Sequence, residues 1–234
     1  MLNVFMKDLR AGAVFLWVVV PLYVLAGLQV LGHGRGIFWG NVVCGSVLVV
    51  GTCLLDWKNG ADLFVHSLPV TRTMVVRGRY LTAIAAGLLS LLVGAALGAT
   101  GGLILLSRGG AWPRWMAGDT GLAFILAFAF VVAIYLPCHF RWGFGRGNVA
   151  AALLLAAAML ATDLAGPLVL RRLEGPAGRP PDPGLPLGQV PEGVAWMAAR
   201  YGLVPSALVV LAAAAVMLWL SSEAAVRGYR RREF

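Results

Sequence analysis

The stretch DWKNGADLFVHSLPVTR, residues 56–72, joins two apolar runs that are each long enough to cross a membrane. Within it, apolar residues recur at i, i+3, i+4 and i+7, and they are Ala61, Phe64, Val65 and Leu68. This spacing predicts a helix of about two turns with one apolar stripe. Asn59 is suited to cap its start, and Pro69 ends it because a ring nitrogen donates no hydrogen bond. Since so short a helix is unstable alone in water, we expect it to form against another surface.

The composition is that of an integral membrane protein. Of the 234 residues, 60% are hydrophobic and only 12% are charged, and the mean hydropathy is +0.83. A soluble domain of this length needs far more polar surface. The net charge of +9 would favour nucleic-acid binding in a soluble protein. Here the Lys and Arg residues flank apolar runs, so we interpret them as orientation signals and expect no nucleic-acid partner.

The apolar runs predict one all-α transmembrane domain spanning residues 1–234. A helix needs about 20 apolar residues to cross the bilayer, and six stretches qualify: about 11–31, 37–55, 80–106, 118–138, 148–170 and 203–220. Ahead of the first, Leu2, Phe5, Met6 and Leu9 share one helical face opposed by charged residues. This pattern predicts an amphipathic helix that lies in the membrane interface.

The distribution of charge predicts that both termini are cytoplasmic. An even number of spans places the termini on one side, and that side then carries twelve of the nineteen Lys and Arg residues. The loop over residues 171–200 is rich in Pro and Gly. We expect it to be an external segment without long regular structure.

Three residues within the spans are candidates for packing or transport. Gly94 and Gly98 form a GxxxG pair in a ridge of small residues, which suits close helix packing either within the subunit or between subunits. Asp163 is the acidic residue set well inside an apolar run. Ionisable groups at this depth usually face a bundle interior or a water-filled cavity. Asp163 is therefore a candidate for the translocation path, although interfacial water or Arg171 would also satisfy its carboxylate.

The sequence offers no catalytic or metal site. Cys44, Cys53 and Cys138 lie in apolar runs without ligand spacing and are interpreted as small buried residues. The three histidines, His33, His66 and His139, are assigned to three different loops as surface residues. The chain has no catalytic motif and no Gly-rich phosphate loop ending in Lys-Ser or Lys-Thr. We therefore expect no enzyme activity and no bound metal or cofactor on this chain.

The motif after the second apolar run resembles one group of ABC-2 type transporter permeases. It reads Ser67-Leu68-Pro69-Val70-Thr71-Arg72, with Val75, Val76 and the pair Arg79-Tyr80 following. The group is similar to the membrane subunits of two kinds of bacterial exporter. One kind exports phenol-soluble modulin peptides, and the other provides immunity to lantibiotics. Thr71 replaces the commoner Ser, and Arg79 stands where Lys is frequent.

The resemblance implies a permease in the bacterial cytoplasmic membrane that carries an amphipathic or antimicrobial peptide outward. Two copies, or one copy and a sister permease, would join two cytoplasmic ATPase subunits that bind ATP and Mg. The predicted helix would then be a coupling helix seated in an ATPase groove. The residues that the resemblance assigns to coupling are Asn59, Asp62, Phe64, Val65, His66, Ser67, Leu68, Pro69 and Arg72. Next to it, Arg72, Arg77 and Arg79 would hold the start of the third span at the lipid headgroups.

Other functions stay open at this point. The same architecture would also suit export of a lipid or a hydrophobic drug. An intramembrane enzyme would require Asp163, His139 or Cys138 to converge. A membrane anchor or sensor would bind an ATPase without transport.

Overall fold

The computed structural model describes Pro21 and residues 36–60, 71–107, 118–174 and 189–231. These ranges contain helices and turns and no strand. The helices are α1 (Gly36–Lys58), α2 (Arg72–Ser107), α3 (Gly118–Glu174), α4 (Gln189–Tyr201) and α5 (Leu203–Arg230). The prediction of an all-α protein is therefore confirmed for the described part of the chain.

Four of these helices, α1, α2, α3 and α5, are long and apolar enough to cross a membrane. The chain is thus a multi-pass membrane protein. Three helices extend beyond their predicted spans at one end of the bundle, since α1 continues to Lys58, α2 already begins at Arg72 and α5 continues to Arg230. These extensions carry the polar residues of the site described below.

Helix α3 consists of two arms that meet at Gly143. This residue has φ 76° and ψ −177°, a backbone conformation that is essentially restricted to glycine. The arms fold back on each other at this point. The close approach of Gly147 to the first arm shows this, since a β-carbon added at Gly147 would lie 2.8 Å from the carbonyl oxygen of Cys138. The arms, 118–142 and 144–174, contain the predicted spans 118–138 and 148–170.

The ridge of small residues on α2 packs against α1. The Ser90 hydroxyl donates to the carbonyl oxygen of Asn41 over 2.8 Å. One turn further along, Gly94 lies directly against the Asn41 side chain, which a β-carbon would overlap. Gly98 is buried on the same face. Gly94 therefore permits a close approach between two helices of one subunit.

The expectation that residues 171–200 lack long regular structure is wrong at both ends. Helix α3 continues to Glu174, and α4 forms a helix of 13 residues over Gln189–Tyr201. Pro191 is tolerated because it lies in the first turn, where its missing N–H breaks no helical hydrogen bond. Val194 then anchors α4 with only 3% of its surface exposed.

Several predictions fall on residues outside the described ranges. They are the interfacial helix near residues 2–9, the first span at 11–31 apart from Pro21, residues 61–68 of the coupling helix predicted near Asn59 to Leu68, and the middle of the proline-rich loop. The total of six spans therefore stays a prediction.

Candidate functional site

Four helix segments meet at the end of the bundle to which residues 61–70 are attached. We call this the loop end. It contains the end of α1, the start of α2, the turn between the α3 arms and the end of α5. The Trp57 ring stacks on Phe144 just after the α3 turn, with centroids 5.4 Å apart. Arg72, at the start of α2, reaches the last carbonyls of α5. Both flanks of residues 61–70 are therefore tied to other helices.

The first tie is a buried ion pair between Asp56 of α1 and Arg79 of α2. Their side chains are 14% and 6% exposed. A charged guanidinium is costly to bury unless a carboxylate compensates it. Because the two residues lie on opposite sides of the connection, the pair fixes the end of α1 to the start of α2.

The second tie joins three helices through Tyr80. Pro137 of α3 has no N–H, so the carbonyl oxygen of Ala133 lacks its usual helical donor. The Ser221 hydroxyl of α5 donates to this oxygen over 2.8 Å. The Tyr80 and Ser221 hydroxyls lie 2.5 Å apart. Since the Ser221 proton is directed to Ala133, Tyr80 is the donor in that bond. Helices α2, α5 and α3 are thus linked by one chain of hydrogen bonds.

The third tie is made by Arg72. Its Nη1 atom donates to the carbonyl oxygens of Tyr229, at 3.3 Å, and Arg230, at 3.0 Å. Carbonyls in the last turn of a helix have no intrahelical donor, and a cation there also interacts favourably with the helix dipole. The guanidinium carbon lies 5.9 Å from the centroid of the Tyr229 ring. Arg72 therefore links the start of α2 to the end of α5.

We call these three ties the anchor network, which consists of Asp56, Arg72, Arg79, Tyr80, Ser221 and the Ala133 carbonyl. From the sequence we expected Arg79 to lie at the lipid headgroups together with Arg72 and Arg77. This is wrong for Arg79, because Asp56 neutralises it inside the bundle. Arg77 does lie at the surface, where it is 57% exposed and 3.7 Å from Glu223.

An aromatic cluster lies beside the anchor network and contains His139. The sequence assigned His139 to a surface loop, which is wrong because the first arm of α3 runs past that position to Gly143. The imidazole is 7% exposed. Its ring centroid lies 6.0 Å from that of Tyr135, 5.5 Å from that of Phe140 and 6.3 Å from that of Phe144. His139 therefore belongs to the packing between the α3 turn and its neighbours.

The predicted coupling residues are only partly within the described ranges. Arg72 belongs to the anchor network. Asn59 is exposed in the turn that ends α1, where its N–H donates to the Leu55 carbonyl over 2.9 Å. Gly60 follows with φ 61°, which suits a glycine at a helix end. The remaining coupling residues lie outside the described ranges, and they are Asp62, Phe64, Val65, His66, Ser67, Leu68 and Pro69.

The remaining candidate residues are the cysteines and Asp163. All three cysteines are buried thiols, as predicted. Among the described residues, no group of three His, Cys, Asp or Glu side chains is placed to hold a metal ion. Asp163 lies in the second arm of α3, and its side chain is outside the described part of the structure.

A family model described as "ABC-2 family transporter protein" matches residues 4–170. The chain belongs to the ABC-2 transporter family. The match covers α1, α2, their connection and nearly all of α3, whereas α4 and α5 lie beyond it. No curated protein and no solved structure matches the chain. Membership of this family implies, in general, partnership with an ABC ATPase subunit.

Sequence reasoning missed most of the anchor network of this ABC-2 protein, although its residues carry signals. Asp56 and Arg79 are opposite charges near the facing ends of two consecutive apolar runs. Pro137 predicts that the Ala133 carbonyl needs a donor from elsewhere. Nothing in the sequence pattern identifies that donor as Ser221, because 88 residues separate the two.

Proposed function

We propose that this ABC-2 family protein is the permease subunit of an ATP-driven exporter, and that residues 61–68 form its coupling helix. The observation that carries the proposal is the anchor network. It ties both flanks of this segment to the helix bundle in a protein whose family works with an ABC ATPase. Its apolar stripe suits a groove, because short amphipathic helices bind grooves through anchors at i, i+3, i+4 and i+7.

The anchor network supplies a mechanical path from the coupling helix to the membrane. A displacement of residues 61–68 would act on Asp56 and Arg79 together, so α1 and α2 would move as a pair. Tyr80 and Ser221 would pass that displacement to α5 and to the Pro137 region of α3. Closure of the ATPase dimer would in this way rotate helices as rigid bodies and open or close a path between subunits.

The distribution of basic residues supports a cytoplasmic position for the loop end. Nine Lys and Arg residues belong to the helix segments that meet there, and they are Lys58, Arg72, Arg77, Arg79, Arg141, Arg146, Arg227, Arg230 and Arg231. An excess of Lys and Arg marks the cytoplasmic side of membrane proteins. We therefore place both termini and the ATPase on that side, in the bacterial cytoplasmic membrane.

The apolar outer surfaces of α2 and α5 support assembly with a second permease. Large side chains such as Leu92, Val204 and Leu208 are 66–71% exposed in the single chain, so lipid or another subunit must cover them. We propose a dimer, either of this chain or with a sister permease. The path between subunits would carry an amphipathic or antimicrobial peptide, and a lipid or a hydrophobic drug is the alternative cargo.

We assign no covalent chemistry to this chain, and we place ATP and Mg on the partner ATPase. The competing function, an intramembrane enzyme, requires Asp163 to meet His139 or Cys138. The structure supports this alternative less, because His139 is enclosed by aromatic rings.

The proposal is tested by introducing charge into the apolar stripe. Phe64→Asp and Leu68→Asp should each abolish co-purification of an ABC ATPase, identified by its phosphate-binding loop in mass spectrometry and by ATP photolabelling. Met74→Asp is the control, since it adds the same carboxylate at an exposed position of the loop end that is outside the apolar stripe. Unchanged ATPase recovery with both stripe variants would refute the docking role.

A further inference from the structure

A groove of about 870 Å³ runs between α3 and α5 and ends at the loop end. We call it the α3/α5 groove. Its volume lies in the upper part of the range of about 300–1,000 Å³ that is usual for small-molecule sites. Most of its wall is apolar, and the side chains that form it include Ile134, Pro137, Leu154, Met217 and Leu220. Leu154 and Leu220 are 49% and 56% exposed, so the groove is open along its side.

The end of the groove at the loop end is basic. Arg141, Arg227 and Arg231 all line it, and all three are exposed. Arg227, in the last turn of α5, and Arg231, the residue that caps its end, are four residues apart and lie on one side of the helix end. Arg141 approaches from α3, with its guanidinium carbon 5.0 Å from the Trp142 ring centroid. Within the described ranges, no carboxylate pairs with these three guanidinium groups.

The length of the groove fits one leaflet of a bilayer. Along α5 its lining extends from Met217 to Arg231, which is about 21 Å at 1.5 Å per residue. Half of the hydrocarbon core measures about 15 Å. An acyl chain beside Met217 and Leu220 would thus leave its phosphate at the level of Arg227 and Arg231.

We propose that the α3/α5 groove binds an anionic phospholipid, with its phosphate at Arg141, Arg227 and Arg231 and an acyl chain along the apolar wall. Basic pockets between transmembrane helices are known to hold anionic headgroups. The occupant is a lipid of the leaflet at the loop end, because the basic and apolar parts are arranged in the order of headgroup and chain. The bound lipid would contact Ser221, so it would support the anchor network from the membrane side. The proposal does not depend on the coupling role of residues 61–68.

Native mass spectrometry of the detergent-purified protein tests this site with two added lipids. Phosphatidylglycerol and phosphatidylcholine with identical acyl chains serve as probes, and phosphatidylglycerol should bind at least tenfold more tightly. Arg227→Gln/Arg231→Gln should weaken phosphatidylglycerol binding about twenty-five-fold, since one basic side chain near an anionic headgroup contributes about fivefold. The matched control Lys58→Gln/Arg146→Gln removes two exposed charges at the same end and should change binding less than twofold.

A third variant separates a built site from general attraction to a basic surface. Ala224→Trp fills the groove at an exposed position and leaves all three arginines in place. We expect it to weaken phosphatidylglycerol binding at least fivefold, and size-exclusion chromatography should show the same elution as for the unaltered protein. Equal binding of both lipids, equal loss in the control, or unchanged binding to Ala224→Trp would each overturn the proposal.

Discussion

Removing one partner of the Asp56–Arg79 pair should destabilise this ABC-2 protein strongly, and removing both should restore most of the loss. The pair is buried, with side-chain exposures of 14% for Asp56 and 6% for Arg79. Breaking a buried pair costs about 3–5 kcal/mol because one charge is left uncompensated. Asp56→Leu leaves the more deeply buried charge, so it should cost more than Arg79→Met.

The loss of unfolding free energy corresponds to a shift of the melting temperature. A loss of about 3 kcal/mol corresponds to about 6–12 °C, since 1 kcal/mol shifts the midpoint by about 2–4 °C in a protein of this size. In Asp56→Leu/Arg79→Met two apolar side chains replace the pair. Such replacement is often neutral or even stabilising, so the double variant should melt within about 4 °C of the unaltered protein.

Thermal unfolding of the four proteins in one detergent measures this cycle. The control is Arg77→Met, which removes an exposed pair with a 3.7 Å separation and should cost less than about 1 kcal/mol. Two results would contradict the reasoning. One is that each single variant melts within 2 °C of the unaltered protein, and the other is that the double variant loses the sum of both single effects.

Three further predictions concern the packing of the bundle. Gly143→Ala should lower the free energy of unfolding by about 1–3 kcal/mol, because Gly143 has a conformation that disfavours a β-carbon. Gly145→Ala, at an open position two residues on, should be neutral or stabilising by up to about 1 kcal/mol. Ser221→Ala should cost about 2–3 kcal/mol and Tyr80→Phe about 1 kcal/mol. The Ser221 change costs more because it leaves both the Ala133 carbonyl and the Tyr80 hydroxyl without a hydrogen-bond partner. Gly94→Val should cost about 1–3 kcal/mol through overpacking against α1. Thermal unfolding in detergent checks each value, and equal losses for Ser221→Ala and Tyr80→Phe would disprove the hydrogen-bond chain.

The helices could be predicted from the sequence because their signal is local. About 20 consecutive apolar residues identify a span wherever it packs, so α1, α2, both arms of α3 and α5 were located from composition. The ends of these helices were not located, because Arg79 looks like an interfacial residue until its partner Asp56 is known. Helix α4 was missed for a related reason. Its many neighbouring prolines suggest a loop, whereas Pro191 occupies a helix position that tolerates it.

The anchor network depends on contacts between distant segments, which sequence patterns do not reveal. Arg72 lies 158 residues before its acceptor at Arg230, and Tyr80 lies 141 residues before Ser221. His139 was assigned to the surface because charge and polarity alone suggest a loop. The break between the predicted spans 118–138 and 148–170 indicated the reversal, but not that the first arm of α3 continues as a helix past His139 to Gly143 and so buries the imidazole.

Site-specific photocrosslinking in intact cells tests the central claim most directly. A photoreactive amino acid at position 64 should form a covalent adduct with an ABC ATPase, because Phe64 lies in the apolar stripe that we propose to enter its groove. The same group at position 97, near the far end of α2, should form none. An ATPase adduct at 97 but not at 64, or no ATPase adduct from either 64 or 68, would contradict the account.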